Sequence, residues 1–536
     1  MACDPQNPPR LPADRQVLVI GAGPVGQTTA LLLARWGVPS VLLDSRPERD
    51  PIGSKALCQQ RDVLDVWDHV GAGRQVAEEG LTWTRARTFY RDTELFCQGF
   101  VDKGRSPFPP FVNISQTRTE QILDEQIADT DLITYAWGHH VVDVRQDGAG
   151  VTLTCQSADG QVDVTGSYAV ACPGSKGGAI RDLLGLSFEG LTFEDQFLIC
   201  DIRTTLPGWE QERRFYFDPA WNPGRQVLIH PCPDSVYRID WQVPPDFSLE
   251  QDEADGGLDR RIRQIIGPEA DYEIVWKSLY RFHARQVDRM RVGRVLLAGD
   301  AAHLVSPFGA RGLNSGVLDA ENAAWKLAFV VHGWADESLL DSYHCERHAA
   351  AAENLEVTSR TMAFLVPQSA EEHAWRLDVL EDSILNPQRR NQVDSGRLAE
   401  PFWYIDSELT TPNADRPWPG RPPKGEDPEP VPGVLVPDVP IQGWPQVGRL
   451  RELARRGLVV LTGAALQPQI EGAVADLGCA VTVVPLEQVD GDGIVARSLN
   501  LGSGEAVVIR PDAHIAAFVT NAEDAAAAVR RVLCRL

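Results

Sequence analysis

Six residues near the N-terminus, Gly21-Ala22-Gly23-Pro24-Val25-Gly26, restrict the fold more than any other stretch of the chain. They follow an apolar run, 16–20, that reads as a buried strand. They open a helical pattern over 26–37, and a second strand is expected over 40–43. In such a β-α-β opening the first glycine permits a tight turn, the second lets backbone approach a pyrophosphate, and the third lets helix and strand pack closely. The helix N-terminus then faces the negative phosphates. Asp44 ends the second strand, 23 residues after Gly21, where a carboxylate can meet the ribose hydroxyls of an adenosine. Strand, glycines, helix and acid in register predict a bound dinucleotide rather than an ordinary glycine turn. The same pattern accounts for the apolar stretch 17–34, which lacks the cleavage site of a targeting signal.

A second constellation lies far downstream. The strand 295–298 runs into Gly299-Asp300-Ala301-Ala302-His303, then Ser306-Pro307-Phe308-Gly309-Ala310-Arg311-Gly312-Leu313-Asn314-Ser315-Gly316, which opens a long helical pattern. A strand ending in Gly-Asp can present its carboxylate to a polyol such as ribityl. The glycine-containing loop can bring amides to a ring edge and to phosphates. Read alone, the stretch could also be a strand-loop-helix joint with a solvated Asp.

The 536 residues are 43% hydrophobic and carry a formal net charge of -24. At roughly 150 residues per domain this allows three or four domains, or two large ones with a tail, and it excludes a disordered or fibrous chain. The acidic balance disfavours a nucleic-acid partner. No other run is long enough to span a membrane, so no membrane partner and a cytoplasmic location are expected. The ten cysteines form no C-x-x-C pair and no zinc spacing, and they read as buried thiols. His139-His140, and His344 with Cys345 and His348, lack further ligand spacing, so no metal is expected. Period-two stretches over 141–171, and short strands at 197–202, 214–217, 227–230 and 237–243, indicate a sheet-rich middle. The Pro-rich stretch 411–433 reads as a linker to a small α/β tail with strands at 458–462, 480–484, 506–509 and 516–519.

Together with the run Asp319-Ala320-Glu321-Asn322-Ala323-Ala324-Trp325-Lys326-Leu327, the two motifs and their spacing resemble the class A flavoprotein monooxygenases, the aromatic-hydroxylase type of p-hydroxybenzoate and phenol hydroxylases. The resemblance covers about residues 15–365, and the tail is similar to the thioredoxin-like domain of phenol-hydroxylase relatives. It implies an α/β and α+β chain: a Rossmann-like FAD-binding domain over 15–80, 112–182 and 280–370, interleaved with a β-sheet substrate domain over 81–111 and 183–279. A helical region and linker over 371–433 and a thioredoxin-like domain over 434–536 follow.

The resemblance implies FAD, with Gly21, Gly23, Pro24, Val25 and Gly26 at its pyrophosphate and Asp44, Ser45 and Arg46 at the adenosine ribose. Gly299 and Asp300 would meet the ribityl chain and phosphate. Gly312, Leu313 and Asn314 would lie along the isoalloxazine, with Pro307 near its reactive edge. Gln116, Lys55 and Arg61 match further family positions near FAD. NAD(P)H would reduce the flavin, and O2 would form a C4a-hydroperoxide that hydroxylates a phenolic or polyketide-like aromatic. Baeyer-Villiger or another ring-modifying oxygenation is the alternative on the same fold. Pro173 stands where the family has Asp, and it motivates a third reading as a flavin-binding protein of low turnover. Arg311 replaces a common Gln and is either a cation near flavin or substrate or a surface charge. The catalytic candidates are Pro307, Arg311, His230, Tyr216 and Tyr237. Arg238, Asp240 and Trp241 are, with Tyr216, His230 and Tyr237, candidates for a base or hydrogen-bond acceptor near the substrate, Trp83, Phe89 and Tyr90 are candidates to line the same cavity, and His303 is expected to be structural. A homodimer is implied by resemblance.

Overall fold

Val17–Ile20 is buried along its whole length and lies in the middle of a six-stranded sheet, between Tyr168–Ala171 and Ser40–Asp44. Five of these strands are parallel, and the edge strand Arg291–Val292 turns back antiparallel. The computed structural model describes residues 8–51, 53, 56–99, 106–394, 398, 400–423 and 426–535. The first helix, Pro24–Arg35, starts two residues earlier than the periodicity predicts. Proline suits the first helical position because its missing N–H would have no partner there. Helix Arg311–Val331 packs against it, and Leu339–Leu365 packs against that helix in turn.

The sheet-rich middle is one eight-stranded sheet: His303–Leu304, Glu273–Val287, Phe188–Arg203, Val236–Val243, Gln226–Cys232, Glu212–Phe217, Arg85–Tyr90 and Thr93–Gly99, in that order. Glu273–Val287 is a single strand across the boundary expected at 279/280, so backbone pairing joins the two units there. Both faces of this sheet are covered. Phe197, Phe215, Phe217, Leu228 and Phe282 pack on one side with Phe308. Ile202, Ile229, Tyr237 and Trp241 pack on the other with the helix Gly257–Ile266.

The tail holds a four-stranded sheet ordered Val481–Pro485, Leu458–Thr462, Ala506–Ile509, Ile515–Val519, parallel in its first pair and antiparallel elsewhere. Helices Gln467–Val474 and Ala522–Val532 accompany it, and two short helices, Leu486–Val489 and Ile494–Ser498, lie between its second and third strands in chain order. The Pro-rich stretch is docked rather than loose. Thr411 N donates to Ala516 O at 2.8 Å, Gly433 N to Ile515 O at 2.7 Å, and Arg416 lies over the Phe518 ring.

Candidate functional site

The glycines of the first motif are required by space. Gly21 has φ +102°, and a Cβ there would sit 2.4 Å from the Cys172 carbonyl oxygen. A Cβ on Gly26 would sit 1.9 Å from the Gly21 oxygen, while one on Gly23 would meet nothing within 4 Å. The backbone is thus closed behind the turn and open in front of it, which fits a dinucleotide phosphate at the helix start. Val25 joins the two motifs: its Cγ2 lies 3.2 Å from a Cβ built on Gly299 and 2.7 Å from one built on Gly316.

Asp44 accepts from Ala22 N at 2.8 Å and Arg46 N at 2.9 Å, and both its oxygens meet the Arg46 guanidinium at 3.0 Å. Burial opposes ionisation of this carboxyl, but these bonds outweigh it and hold it below the usual range. Ser45 is exposed at the strand end. Arg49, which the sequence reading missed, donates to Ala22 O at 3.0 Å and to Glu120 at 2.7 Å and also pairs with Asp124. Glu120 and Asp124 sit on helix Gln116–Ala128, whose first residue, Gln116, accepts from Ala56 N at 3.1 Å. Arg61 donates to Phe108 O at 2.8 Å. Lys55 lies outside the described residues.

The second motif is braced from below. Asp319 accepts from Gly299 N at 2.9 Å, His303 Nε2 at 2.7 Å and Arg347 Nε at 2.7 Å. Although burial raises it, His303 and Arg347 draw its pKa down to about 2. Asp300 stands beside the following helix, its Oδ1 4.0 Å from a Cβ built on Gly312. Leu313 is half-buried against the main core. The Asn314 side chain accepts from Gln60 N and donates to Cys58 O, both at 2.9 Å, tying the loop to the strand Cys58–Gln60. Pro307 is exposed and Phe308 next to it is buried. Arg311 is no surface charge. It is buried and donates to Asn354 Oδ1 at 2.6 Å. Pro173 packs under Gly21, and Arg181 reaches from the same region to Ala301 O at 3.0 Å. Cys172 and Cys58 flank this region, and burial pushes both thiols up to about 12.

Phe308 connects the loop to the large sheet through Phe197, Phe215 and Phe282, at ring centroid separations of 5.5, 6.1 and 5.7 Å. Alternation along the strands decides which wall candidates share that face. Tyr216 follows Phe215 and so points to the opposite face, where it stacks on Phe89 at 4.6 Å. Tyr237 is also on that far face, donating to Leu206 O at 3.5 Å beneath the covering helix. Both tyrosines lie on the face away from the loop, which corrects their place among the catalytic candidates. His230 and Asp240 do share the Phe308 face, through the cross-strand pairs Phe215–Leu228 and Leu228–Asp240. Burial, with Arg213 and Arg238 beside it, drives the His230 imidazole well below its usual pKa. Burial raises Asp240 to about 7.

A second buried cluster joins the tail to the long helices. Glu346 accepts from Arg510 at 2.6 and 2.9 Å, from Lys326 at 2.6 Å and from Asn322 at 2.8 Å. Arg510 also binds Asp512, which accepts from Trp325 Nε1 at 3.1 Å. Tyr404 accepts from Arg347 at 3.1 Å and carries the cluster on to Asp319. The quoted run containing Asn322, Trp325 and Lys326 holds half of it, but no sequence signal pairs that run with Arg510. No helix among the described residues is long and apolar enough to cross a membrane, and no metal-binding group is found among them.

Residues 14–358 match the model of an FAD binding domain, and residues 429–536 match that of the aromatic-ring hydroxylase C-terminal region. A 3-(3-hydroxy-phenyl)propionate/3-hydroxycinnamic acid hydroxylase of Comamonas testosteroni is 31% identical over 361 residues, 66% of this chain and 59% of that relative's length. Two solved structures share the fold over 98% of this chain and 100% of theirs: the flavin-dependent monooxygenase PieE in complex with FAD and substrate (TM-score 0.83, 23% identity) and aklavinone-11 hydroxylase with FAD and aklavinone (0.80, 24%).

Proposed function

The chain belongs to the FAD-binding-domain family, with the C-terminal region of the aromatic-ring hydroxylases, and we propose that it is a single-component FAD-dependent monooxygenase. It uses NAD(P)H and O2 to hydroxylate a phenolic or polyketide-like aromatic compound. The reading rests on one arrangement. The segment 299–316 meets the glycine cradle through Val25 and the aromatic face of the large sheet through Phe308. A cofactor held by the cradle is thereby brought beside a wall suited to a flat ring.

In this reading Gly21, Gly23, Pro24, Val25 and Gly26 hold the pyrophosphate, and Asp44, Ser45 and Arg46 hold the ribose. Gly299, Asp300 and Gln116 line the ribityl chain, with Arg61 nearby. Pro307, Gly312, Leu313 and Asn314 border the ring. FAD supplies electron transfer from the reductant and activation of O2 when bound. The protein orients the aromatic ring and keeps water from it. A cytoplasmic homodimer, with the domain division given above, belongs to the same proposal.

The test is anaerobic mixing of the purified protein with NADH or NADPH, with and without 3-(3-hydroxyphenyl)propionate and larger phenols, while the visible flavin band is followed. Bleaching that a phenol accelerates is expected, and it would show that Pro173 is tolerated. A protein that purifies without flavin, or a band that neither reductant bleaches with a phenol present, would refute the proposal.

A further inference from the structure

Asp44 ends its strand under a cap that the chain itself supplies. Ala22 N donates to its Oδ2 at 2.8 Å and Arg46 N to its Oδ1 at 2.9 Å. The Arg46 guanidinium adds Nε to Oδ1 and Nη2 to Oδ2, both at 3.0 Å. An ionised carboxylate offers about four lone-pair positions. All of them are taken, yet this is the carboxylate that reads the adenosine ribose in the function proposed above.

The four donors differ in how firmly they are held. Gly21 N, just before Ala22, donates to Leu43 O at 2.6 Å. Gly138 N and His139 N donate to Arg46 O and Asp44 O at 2.7 and 2.8 Å. The backbone is thus tied on both sides of the carboxylate, and its two N–H donors stay in place. The guanidinium is the exchangeable pair. The Arg46 side chain is 31% exposed and that of Asp44 10%, so Arg46 is the outer of the two. Its third arm, Nη1, meets the exposed Asp50 at 3.0 Å. Its centre stands 5.8 Å from the ring of Trp137, the residue paired with Asp44 on the neighbouring strand. An arginine that lets go of Asp44 therefore keeps an anion and an aromatic face within reach.

We propose that the Arg46 side chain competes with the adenosine ribose of the cofactor for Asp44. Two donors leave as two arrive: the 2′- and 3′-hydroxyls of the ribose replace Nε and Nη2. The guanidinium stays beside the nucleoside, on Asp50 and over the Trp137 ring. This rests on FAD as the bound dinucleotide and deepens that reading. The glycine cradle takes a diphosphate, and Asp44 takes a nucleoside whose sugar offers two adjacent hydroxyls, enough to replace a bidentate arginine. The exchange weakens the apparent affinity by the share of molecules in which Arg46 is seated on Asp44.

Dilution of the holoenzyme, with released FAD read by its fluorescence, gives the dissociation constant. About 0.15 M salt limits what a lost charge does to the pyrophosphate. Arg46→Met should hold FAD up to about fivefold more tightly than the wild type, the value of a partly exposed ion pair. Arg46→Lys keeps the charge without the fork and should fall between them. Displacement of FAD by ADP and by 2′,3′-dideoxy-ADP isolates the hydroxyls. ADP should displace FAD from Arg46→Met and from the wild type alike, whereas the dideoxy analogue should need about fivefold more in the variant. An arginine that only holds the nucleoside, or only supports the fold, gives the opposite sign, with FAD held more weakly in Arg46→Met. That result, an unchanged affinity, or a dideoxy analogue that displaces as well from the variant as from the wild type would overturn the proposal. A wild-type chain that retains no FAD refutes the proposed function itself, so the two failures are told apart.

Discussion

Glu346 and Asp240 are both carboxylates deep inside the protein, and their surroundings push them in opposite directions. Glu346 meets Lys326, Asn322 and both arms of Arg510, and it is held far below the usual carboxylate range although burial alone would raise it. Asp240 meets Arg238 only after Asp201 has claimed that guanidinium, and burial lifts it to about 7. Depth alone therefore says nothing about role. A saturated cluster is architecture, joining the tail to the long helices. An unsaturated one costs stability and gains a group that can exchange a proton.

The largest expected effect breaks the saturated side. Glu346→Ala leaves Lys326 buried without its counter-charge and Arg510 with Asp512 alone, and it should cost about 3–5 kcal/mol in a denaturant titration. A loss under 1 kcal/mol would mean that the cluster is solvated and the contrast false. The unsaturated side should respond with the opposite sign. Asp240 has a folded pKa raised from 3.8 to about 7. Its contribution is therefore intact below pH 3.8 and is lost as pH rises toward 7, a penalty of order 4 kcal/mol at neutral pH. Asp240→Asn should thus be more stable than wild type at pH 8, with the gain vanishing by pH 4. A variant destabilised at both pH values would contradict this. The smallest effect lies where the braced motif meets the saturated cluster. Asp319, drawn down from 3.8 to about 2, contributes stability above pH 3.8 that is lost as pH falls through 2. Asp319→Asn should cost about 2 kcal/mol at pH 7 and loosen the Gly299 corner, seen as faster release of FAD on dilution. Unchanged flavin release would confine Asp319 to the scaffold.

The glycine cradle was legible because much of its constraint is local: Gly21 takes a positive φ, and a Cβ on Gly26 would collide with the Gly21 oxygen five residues before it. Arg49 and the Glu346 cluster were not, because their partners lie far along the chain; Asn322 reaches Asp512 across 190 residues. The tyrosines misled for a different reason. In Arg214-Phe215-Tyr216-Phe217 the Tyr216 face also carries the Arg214–Glu212 pair, yet both faces of the sheet are covered by other parts of the chain. Period-two alternation then fixes which residues share a face but not which face meets the loop. The Pro-rich stretch read as a linker from composition, and its docking depends on backbone donors that composition does not reveal.

The thiols flanking the cradle have a consequence for durability. Oxidative damage by hydrogen peroxide proceeds through the thiolate. Cys172 and Cys58, pushed up to about 12, hold almost none of it at neutral pH, and Cys200 and Cys232 of the large sheet are pushed up equally. Sulfenylation therefore begins at exposed positions such as Cys97, and the buried thiols age last.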